Sequence, residues 1–256
     1  MIVKTRAVVL REIKYRDQSK ICLLLTREFG QLPVILKAVR NPKNRMSGLF
    51  SAGNIVDAVI YKRSTRDIQL ASDASLVLSP LSLEPDLERF GVLYRILDLA
   101  RHASGPEEKN LPLYTLLSST IERLCGATEG FQATLARFLL KLVGVLGFEP
   151  SLNRCVFSRK EIAPAIDAMG LRELLFVHDP GGFALPGAGA AVDSLLQPVP
   201  VERYRLLRSI AANEEEGADP GELSAICDLL QEYCSRHLER MPHRKHLDIV
   251  SRLVSA

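Results

Sequence analysis

Residues 21–39, ICLLLTREFGQLPVILKAV, decide how the first part of the chain folds. Two runs rich in Leu, Ile and Val, residues 21–26 and 32–39, are separated by residues 28–30, Glu-Phe-Gly, which are typical of a turn. Short apolar runs bounded by turn residues favour strands over helices. The stretch therefore predicts two antiparallel strands joined by a turn.

Three further runs with alternating or β-branched apolar residues flank this pair, at residues 5–10, 55–61 and 68–76. Turn residues separate them, for example Asn41-Pro42 and Gly53-Asn54. Five short antiparallel strands in about 75 residues suit either a small closed barrel, of which the OB-fold is the usual five-stranded form, or a partial sandwich.

The apolar period changes to a helical one after Pro80. Helices are expected near residues 87–101, 111–125, 131–146 and 223–238, with a weaker one at 202–212. Residues 149–197 are rich in Pro and Gly and indicate an irregular insert, with a short hairpin around 174–185. The prediction is an α+β chain: an OB-fold β-barrel domain over 1–80 and a mainly α-helical domain over 81–256, with an irregular insert at 149–197.

Charge is distributed unevenly along the chain. Residues 1–80 contain 14 Lys and Arg against 6 Asp and Glu, whereas the remaining residues contain 19 against 24, although the formal net charge is only +3. A basic domain of this kind favours an acidic partner such as nucleic acid.

The location of the protein is predicted from two features. No apolar run approaches the roughly 20 residues of a membrane span, and the N-terminus does not resemble a secretory signal. The five cysteines are scattered and odd in number, which is typical of reduced thiols. We expect a cytoplasmic protein that has no membrane partner.

The positive charge is densest in residues 36–50, LKAVRNPKNRMSGLF, and no acidic residue occurs between Glu28 and Asp57. One interpretation is a solvated surface loop. The other is a loop beside the barrel face that binds a phosphodiester backbone. The predicted DNA contacts are Lys37, Arg40, Lys43 and Arg45 in the loop, helped by Arg11, Arg16 and Lys20.

Aromatic residues that could stack on bases are few in the same domain. They are Tyr15, Phe29, Phe50 and Tyr61, and the chain contains no Trp. We therefore expect electrostatic attraction to contribute more to the binding affinity than stacking does.

Metal and catalytic sites are not indicated. Cys155 has Ser158 where a C-x-x-C pair would need a second cysteine, and His237, His243 and His246 are too few for a structural zinc site. Common hydrolase, zincin and P-loop motifs are absent, and the His178-Asp179 pair is explained by a turn. The chain is predicted to have no cofactor and no enzymatic activity.

Several N-terminal motifs resemble those of the RecO family of bacterial DNA repair and recombination mediators. They are TRAVVL at residues 5–10, D-x-S-K-I at 17–21, L-T-R-E-x-G at 25–30 and the basic K-x-x-R loop at 37–47. The resemblance extends over nearly the whole chain, but it is specific only in the first 80 residues.

This resemblance implies an N-terminal OB-fold, a helical domain and a small zinc-binding insert. It also implies binding of single- and double-stranded DNA, annealing of complementary strands, and partnership with RecR and with the acidic C-terminal tail of single-stranded-DNA-binding protein, which together load a RecA-type recombinase. The family's insert normally has two C-x-x-C pairs, whereas this chain keeps Cys155 alone. The insert is therefore expected to be a degenerate zinc-ribbon-like region without metal.

Two other classes of function stay open at this stage. The barrel of a non-catalytic interaction scaffold would bind an acidic protein instead of DNA. A hydrolase or transferase would be built around His178 or the C-terminal histidines. If the helices form a groove for an acidic tail, the candidate rim residues are Arg137, Lys141 and Arg154.

Overall fold

The computed structural model describes residues 1–15, 18–37, 39, 46–187, 195–214 and 218–240. The chain divides into two compact units, Met1–Thr134 together with the end of the last helix from Leu238, and Leu135–His237.

The first unit begins with a closed barrel of five strands in the order β1-β2-β3-β5-β4, in which β4 pairs back with β1. All neighbours are antiparallel except β3 and β5. This is the five-stranded OB-fold barrel, so the OB-fold prediction is confirmed over the partial sandwich. The strands are β1 (Ile2–Tyr15), β2 (Ser19–Thr26), β3 (Gly30–Leu36), β4 (Ile55–Tyr61) and β5 (Gln69–Leu78).

Strand β1 pairs with β4 along its first half and with β2 along its second half, and it has a bulge between the two. Its register with β2 shifts between Val9 and Arg11, and a bulge of this kind locally increases strand bending and twist. At the bend, the Val9 amide donates to the Asn54 carbonyl oxygen at 2.9 Å and the Gly53 amide donates to the Val9 carbonyl oxygen at 2.8 Å.

The barrel interior is filled by every second residue of the strands, as strand alternation requires. In β3, for example, Leu32, Val34 and Leu36 are fully or almost fully buried, whereas Pro33 and Ile35 are only partly buried. Phe50, which follows the short helix α1 (Met46–Leu49), belongs to the same core cluster.

Two longer helices complete the first unit, α2 (Leu87–Ala103) and α3 (Leu111–Gly126). The buried Gln31 of β3 joins the barrel to the end of α2, because its side chain donates to the Arg101 carbonyl oxygen at 2.6 Å and to Ser104 Oγ at 2.7 Å. The Glu107 amide donates to the Gln31 carbonyl oxygen at 2.9 Å. The α2–α3 connection is therefore bonded directly to the start of β3.

The second unit is mainly helical. Its elements are most of α4 (Phe131–Val145), α5 (Ile162–Met169), β6 (Glu173–Val177), β7 (Gly182–Ala184), β8 (Leu196–Pro200), α6 (Val201–Ala212) and most of α7 (Pro220–Arg240). The predicted helices near 131–146, 202–212 and 223–238 are confirmed. The division into domains at residue 80 stays a prediction, although the barrel ends close to it.

The insert is more regular than its composition predicts. The hairpin around residues 174–185 is present as β6 and β7, but β8 adds a third strand on the other side of β6. Helix α5 was not predicted. Pro164 is tolerated in its first turn, where amides have no intrahelical acceptor, and Gly170 ends the helix with φ 59°.

Within the described residues, no helix combines the length and the apolar character that crossing a membrane requires.

Replacing Gly30 by Ala should destabilise the first unit. A Cβ at this position would lie 2.0 Å from the Glu108 carbonyl oxygen, and φ is +67°, so both the backbone conformation and the close approach exclude a side chain. We expect a loss of about 2 kcal/mol or more in the free energy of unfolding, measured by urea denaturation.

The matched control is Gly91→Ala on the exposed side of α2, where a Cβ meets no atom within 4 Å. This change should be neutral or stabilise by about 0.5–1 kcal/mol because Ala favours helix. Equal stabilities for the two variants would contradict the proposed close packing at Gly30.

Candidate nucleic-acid interface

Strand register gathers positive side chains from three strands at one end of the barrel. Lys14 of β1 lies opposite Lys20 of β2, and Lys20 lies opposite Leu36 of β3. Lys37 follows directly and is exposed. The predicted basic loop begins at Lys37, so the register brings cations from distant parts of the sequence to the barrel end where that loop begins.

A cleft of about 400 Å³ opens at this end of the barrel. Its lining combines the end of the β1–β2 hairpin with α1, and the Val39 amide donates to the Gln18 carbonyl oxygen at 3.0 Å. The lining residues are Glu12, Ile13, Lys14, Ser19, Lys20, Val39 and Ser47.

Lys20 is bonded within the protein. Its Nζ pairs with the Glu12 carboxylate and donates to the Ser47 carbonyl oxygen at 3.1 Å, and its side chain is 16% exposed. Lys20 therefore links β1, β2 and α1. It can contact a phosphate only if Glu12 releases it or if the phosphate approaches the ion pair.

The outer face of the barrel beside this cleft is apolar at its centre. Opposing residues in neighbouring strands form a continuous row of Ile13, Ile21, Ile35 and Leu70. All except Ile21 are partly exposed. Because opposing residues in paired strands point to the same side, this row forms one surface.

A second row on the same outer face consists of Arg11, Leu23 and Pro33. Arg11 is exposed and has no ion-pair partner among the described residues, and the same is true of Lys37. The outer face, defined by these two rows, thus carries a positive charge at Arg11, with Lys37 at the neighbouring end of β3.

Four of the seven predicted contacts lie outside the described residues. They are Arg16, Arg40, Lys43 and Arg45. Of the other three, the structure brings Lys37 and Lys20 to the same end of the barrel and places Arg11 on the outer face beside them. A role in DNA binding stays a prediction for all seven.

Part of the positive charge in the first 80 residues is neutralised internally. The Arg6 guanidinium holds Asp57 with two hydrogen bonds of 2.8 and 2.9 Å, which lowers the pKa of that carboxyl. Lys62 pairs with Glu107 at 2.6 Å. In the described part of the barrel domain, the exposed cations without an ion pair are Lys4, Arg11, Lys14, Arg27, Lys37, Arg63 and Arg66.

Lys14 is the clearest residue that the sequence-based choice of contacts left out. It lines the cleft and is exposed, yet it was counted only as part of the regional excess of charge. Pairing outward from the Asp17-Gln18-Ser19 turn would have placed it opposite Lys20, because Tyr15 pairs with Ser19 and Lys14 with Lys20.

The expected aromatic residues are not equally accessible. Phe50 is fully buried in the barrel core, so the expectation that it is available for stacking is wrong. Phe29 is half-buried, with Lys62 Nζ 5.8 Å from its ring centroid. Tyr61 is 42% exposed.

The insert does not offer a zinc site in the part that the structure describes. Cys155 is fully buried, and its Sγ accepts the amides of Ser158 and Leu185 at 3.4 Å each. Burial alone would raise the pKa of this thiol, but hydrogen bonding by the Ser158 side chain and by the backbone amides lowers it below its ordinary value. Among the described residues, no three His, Cys, Asp or Glu side chains come together as metal ligands, so the zinc that the resemblance implies does not fit.

Comparison with known proteins identifies the family. The model of the recombination protein O N-terminal domain matches residues 1–80, and the model of the recombination protein O C-terminal domain matches residues 84–247. These matches cover most of the chain and meet near the residue where the barrel ends. The chain belongs to the RecO family.

Curated relatives agree over the full length. A DNA repair protein RecO from Chlorobaculum parvum is 64% identical, with 100% of both chains covered. One from Pelodictyon phaeoclathratiforme is 57% identical over 99% of both chains. The RecO of Chloroherpeton thalassium is 30% identical over 99% of this chain and 100% of its own.

Replacing Glu12 by Gln should reveal whether Lys20 takes part in the interface. The change removes the carboxylate charge that neutralises Lys20. If Lys20 lies in the interface, single-stranded DNA should bind more tightly, and the slope of log K against log salt should become steeper by about 0.7 for one added phosphate contact. Fluorescence anisotropy of a labelled oligonucleotide at several salt concentrations measures both quantities.

The control is Glu122→Gln, an exposed carboxylate on α3. It changes the net charge equally but should leave the salt slope unchanged. If both variants behave alike, Lys20 has no contact with DNA and serves only to link β1, β2 and α1.

Proposed function

We propose that this chain is a non-enzymatic mediator of DNA repair and recombination that binds single- and double-stranded DNA through its barrel and anneals complementary strands. Membership of the RecO family supports the role in DNA repair. The observation that supports binding through the barrel is the proximity of three exposed cations that have no ion pair among the described residues: Lys14 and Lys37 lie at one end of the barrel, and Arg11 lies on the outer face beside them.

Contacts to phosphates suit annealing because they carry no sequence information. Two complementary strands repel each other through their charges, and cations that neutralise the backbone reduce this repulsion without favouring particular bases. The apolar centre of the outer face adds surface on which unpaired bases can lie. The basic loop at 37–45 begins beside these cations, and we place its three other basic residues, Arg40, Lys43 and Arg45, in the same interface.

Membership of the RecO family supports the partners that we propose. With RecR, the protein would help load a RecA-type recombinase onto DNA that is coated by single-stranded-DNA-binding protein. We place this activity in the cytoplasm, where the five cysteines, all of them free, would stay reduced.

The acidic tail of single-stranded-DNA-binding protein has a candidate site in the second unit. A cleft of about 240 Å³ is lined by Arg137 and Lys141 of α4, by Ile210 of α6 and by Glu149, so two cations line it against one carboxylate. Leu140, Leu152 and Pro150 contribute apolar surface. Positive residues beside an apolar floor suit a short peptide that carries both acidic and apolar side chains.

DNA binding is tested by the double variant Arg11→Ala with Lys37→Ala. If each cation neutralises one phosphate, the salt slope on single strands should become shallower by about 1.4, and affinity at low salt should fall. The control double variant, Lys109→Ala with Arg123→Ala, removes the same charge from exposed positions outside the barrel. If the Arg11→Ala, Lys37→Ala variant binds DNA with the affinity and salt slope of the wild type, Arg11 and Lys37 do not contact the DNA.

Binding of the acidic tail is tested by Lys141→Glu. Reversing this exposed charge should lower the affinity for a labelled acidic peptide about tenfold or more, because one attractive contact becomes repulsive. The control is Lys160→Glu, an exposed lysine of the insert that does not line the cleft. Equal loss in both variants would show that overall charge, not this cleft, attracts the peptide.

A further inference from the structure

The apolar row on the outer face does not end at Leu70. Leu70 of β5 lies opposite Tyr61 of β4, and Tyr61 lies opposite Ile2 of β1. The row of Ile13, Ile21, Ile35 and Leu70 thus continues onto an aromatic side chain. Ile35 and Tyr61 are two strand spacings apart, roughly 10 Å.

The Tyr61 side chain is accessible to solvent and has no side-chain partner within the described part of the chain. Its side chain is 42% exposed, and it takes part in no hydrogen bond, ring contact or ion pair there. Its backbone lies in a strand that is paired on both sides, so the ring extends from a rigid position. An exposed aromatic ring on a fixed strand is a platform on which a base can stack without a large loss of conformational entropy.

Two arginines lie next to this platform on a loop whose shape is fixed. The fully buried Gln69 accepts from the Arg63 amide at 2.8 Å and donates to the carbonyl oxygens of Arg63 and Arg66 at 3.0 and 2.6 Å. The side chains of Arg63 and Arg66 are exposed and have no ion pair among the described residues. This side chain therefore holds the backbone from which both cations extend.

The surrounding charges favour a polyanion over a neutral apolar partner. Lys4 lies one row away, opposite Val59, and adds a third exposed cation that has no ion pair in the described part of the chain. Two exposed carboxylates, Asp67 in the loop and Asp73 opposite Val59, partly offset these charges. Lys62 does not add to them because it pairs with Glu107.

We infer that Tyr61 is a base-stacking residue for single-stranded DNA, and that Arg63 and Arg66 bind the phosphates on either side of the stacked base. This inference rests on the proposed DNA-binding function and names a second contact region, separate from Arg11, Lys14 and Lys37. The single-stranded DNA lies along the row of outer-face side chains from Ile35 across Leu70 to Tyr61. Because stacking requires an unpaired base, Tyr61 contributes to the binding of single strands and not of duplexes.

The test uses the absence of tryptophan from the sequence. In a Tyr61→Trp variant all tryptophan emission comes from this position, and a stacked base should quench it as oligo(dT) is added. The matched control is Tyr94→Trp on α2, where the original tyrosine is similarly exposed at 53%. We expect strong quenching at position 61 and little at position 94.

Affinity gives a second, independent measurement. Tyr61→Ala should lower the affinity for oligo(dT) about tenfold and leave the affinity for duplex DNA unchanged. Tyr61→Phe should bind oligo(dT) as the wild type does because the aromatic ring is kept. Circular dichroism of each variant verifies folding. Unquenched emission at saturating oligo(dT), or equal single-strand affinity of Tyr61→Ala and wild type, overturns the inference.

The outcome for wild-type protein separates the two proposals. If wild-type protein binds oligo(dT) while Tyr61→Ala is unaffected, the protein binds DNA without stacking at this position, so the inference fails while the proposed DNA-binding function stands. If wild-type protein binds no oligonucleotide at low salt, the proposed DNA-binding function itself fails.

Discussion

Closure of the barrel by one bent strand is the constraint on which the proposed site depends. Strand β1 pairs with β4 along Ile2–Val8 and with β2 from Ala7 to Tyr15, and it bends between these two segments as the sheet curves into a closed barrel. The bulge after Val9 provides the bend. The Asn54 side chain supports it, because its Nδ2 donates to the carbonyl oxygens of Gly48 and Leu49 at 3.0 and 3.1 Å and its Oδ1 accepts from Ser79 at 2.8 Å.

This closure determines which side chains become neighbours. Once β1 pairs with both β2 and β4, residues that are distant in the sequence form one row around the outside of the barrel, from Ile13 through Ile35 and Leu70 to Tyr61. The same pairing places Lys14 beside Lys20 and next to the end of β3. The positions of the cations and of the apolar surface are therefore both determined by strand register.

The sequence predicted the elements well where their apolar period was clear. The five strands and the helices at 87–103, 111–126 and 131–145 followed from periods of two and of 3.6 residues. The insert was less predictable, because α5 is short and Pro-containing and owes its position to the burial of Ile162 and Ile166. Composition alone does not report such tertiary contacts.

The candidate site was only partly predictable from the sequence. Uneven charge favoured the barrel domain as the candidate interface, but pairing decides which cations are available, and Arg6 and Lys20 each hold a carboxylate. Phe50 shows the same limit, because an apolar position in a basic stretch gives no sign of whether it faces solvent or the core. The outward position of Tyr61 becomes apparent only when β4 is aligned with β1 and β5.

Lysine acetylation with and without saturating single-stranded DNA, followed by mass spectrometry, measures whether DNA covers the end of the barrel that carries Lys14 and Lys37. We expect DNA to protect Lys14 and Lys37, Lys20 to react slowly in both states because Glu12 holds it, and Lys109 and Lys160 to react equally in both. Unchanged reactivity of Lys14 and Lys37 in the saturated complex would place the DNA elsewhere on the protein and would rule out the proposed interface.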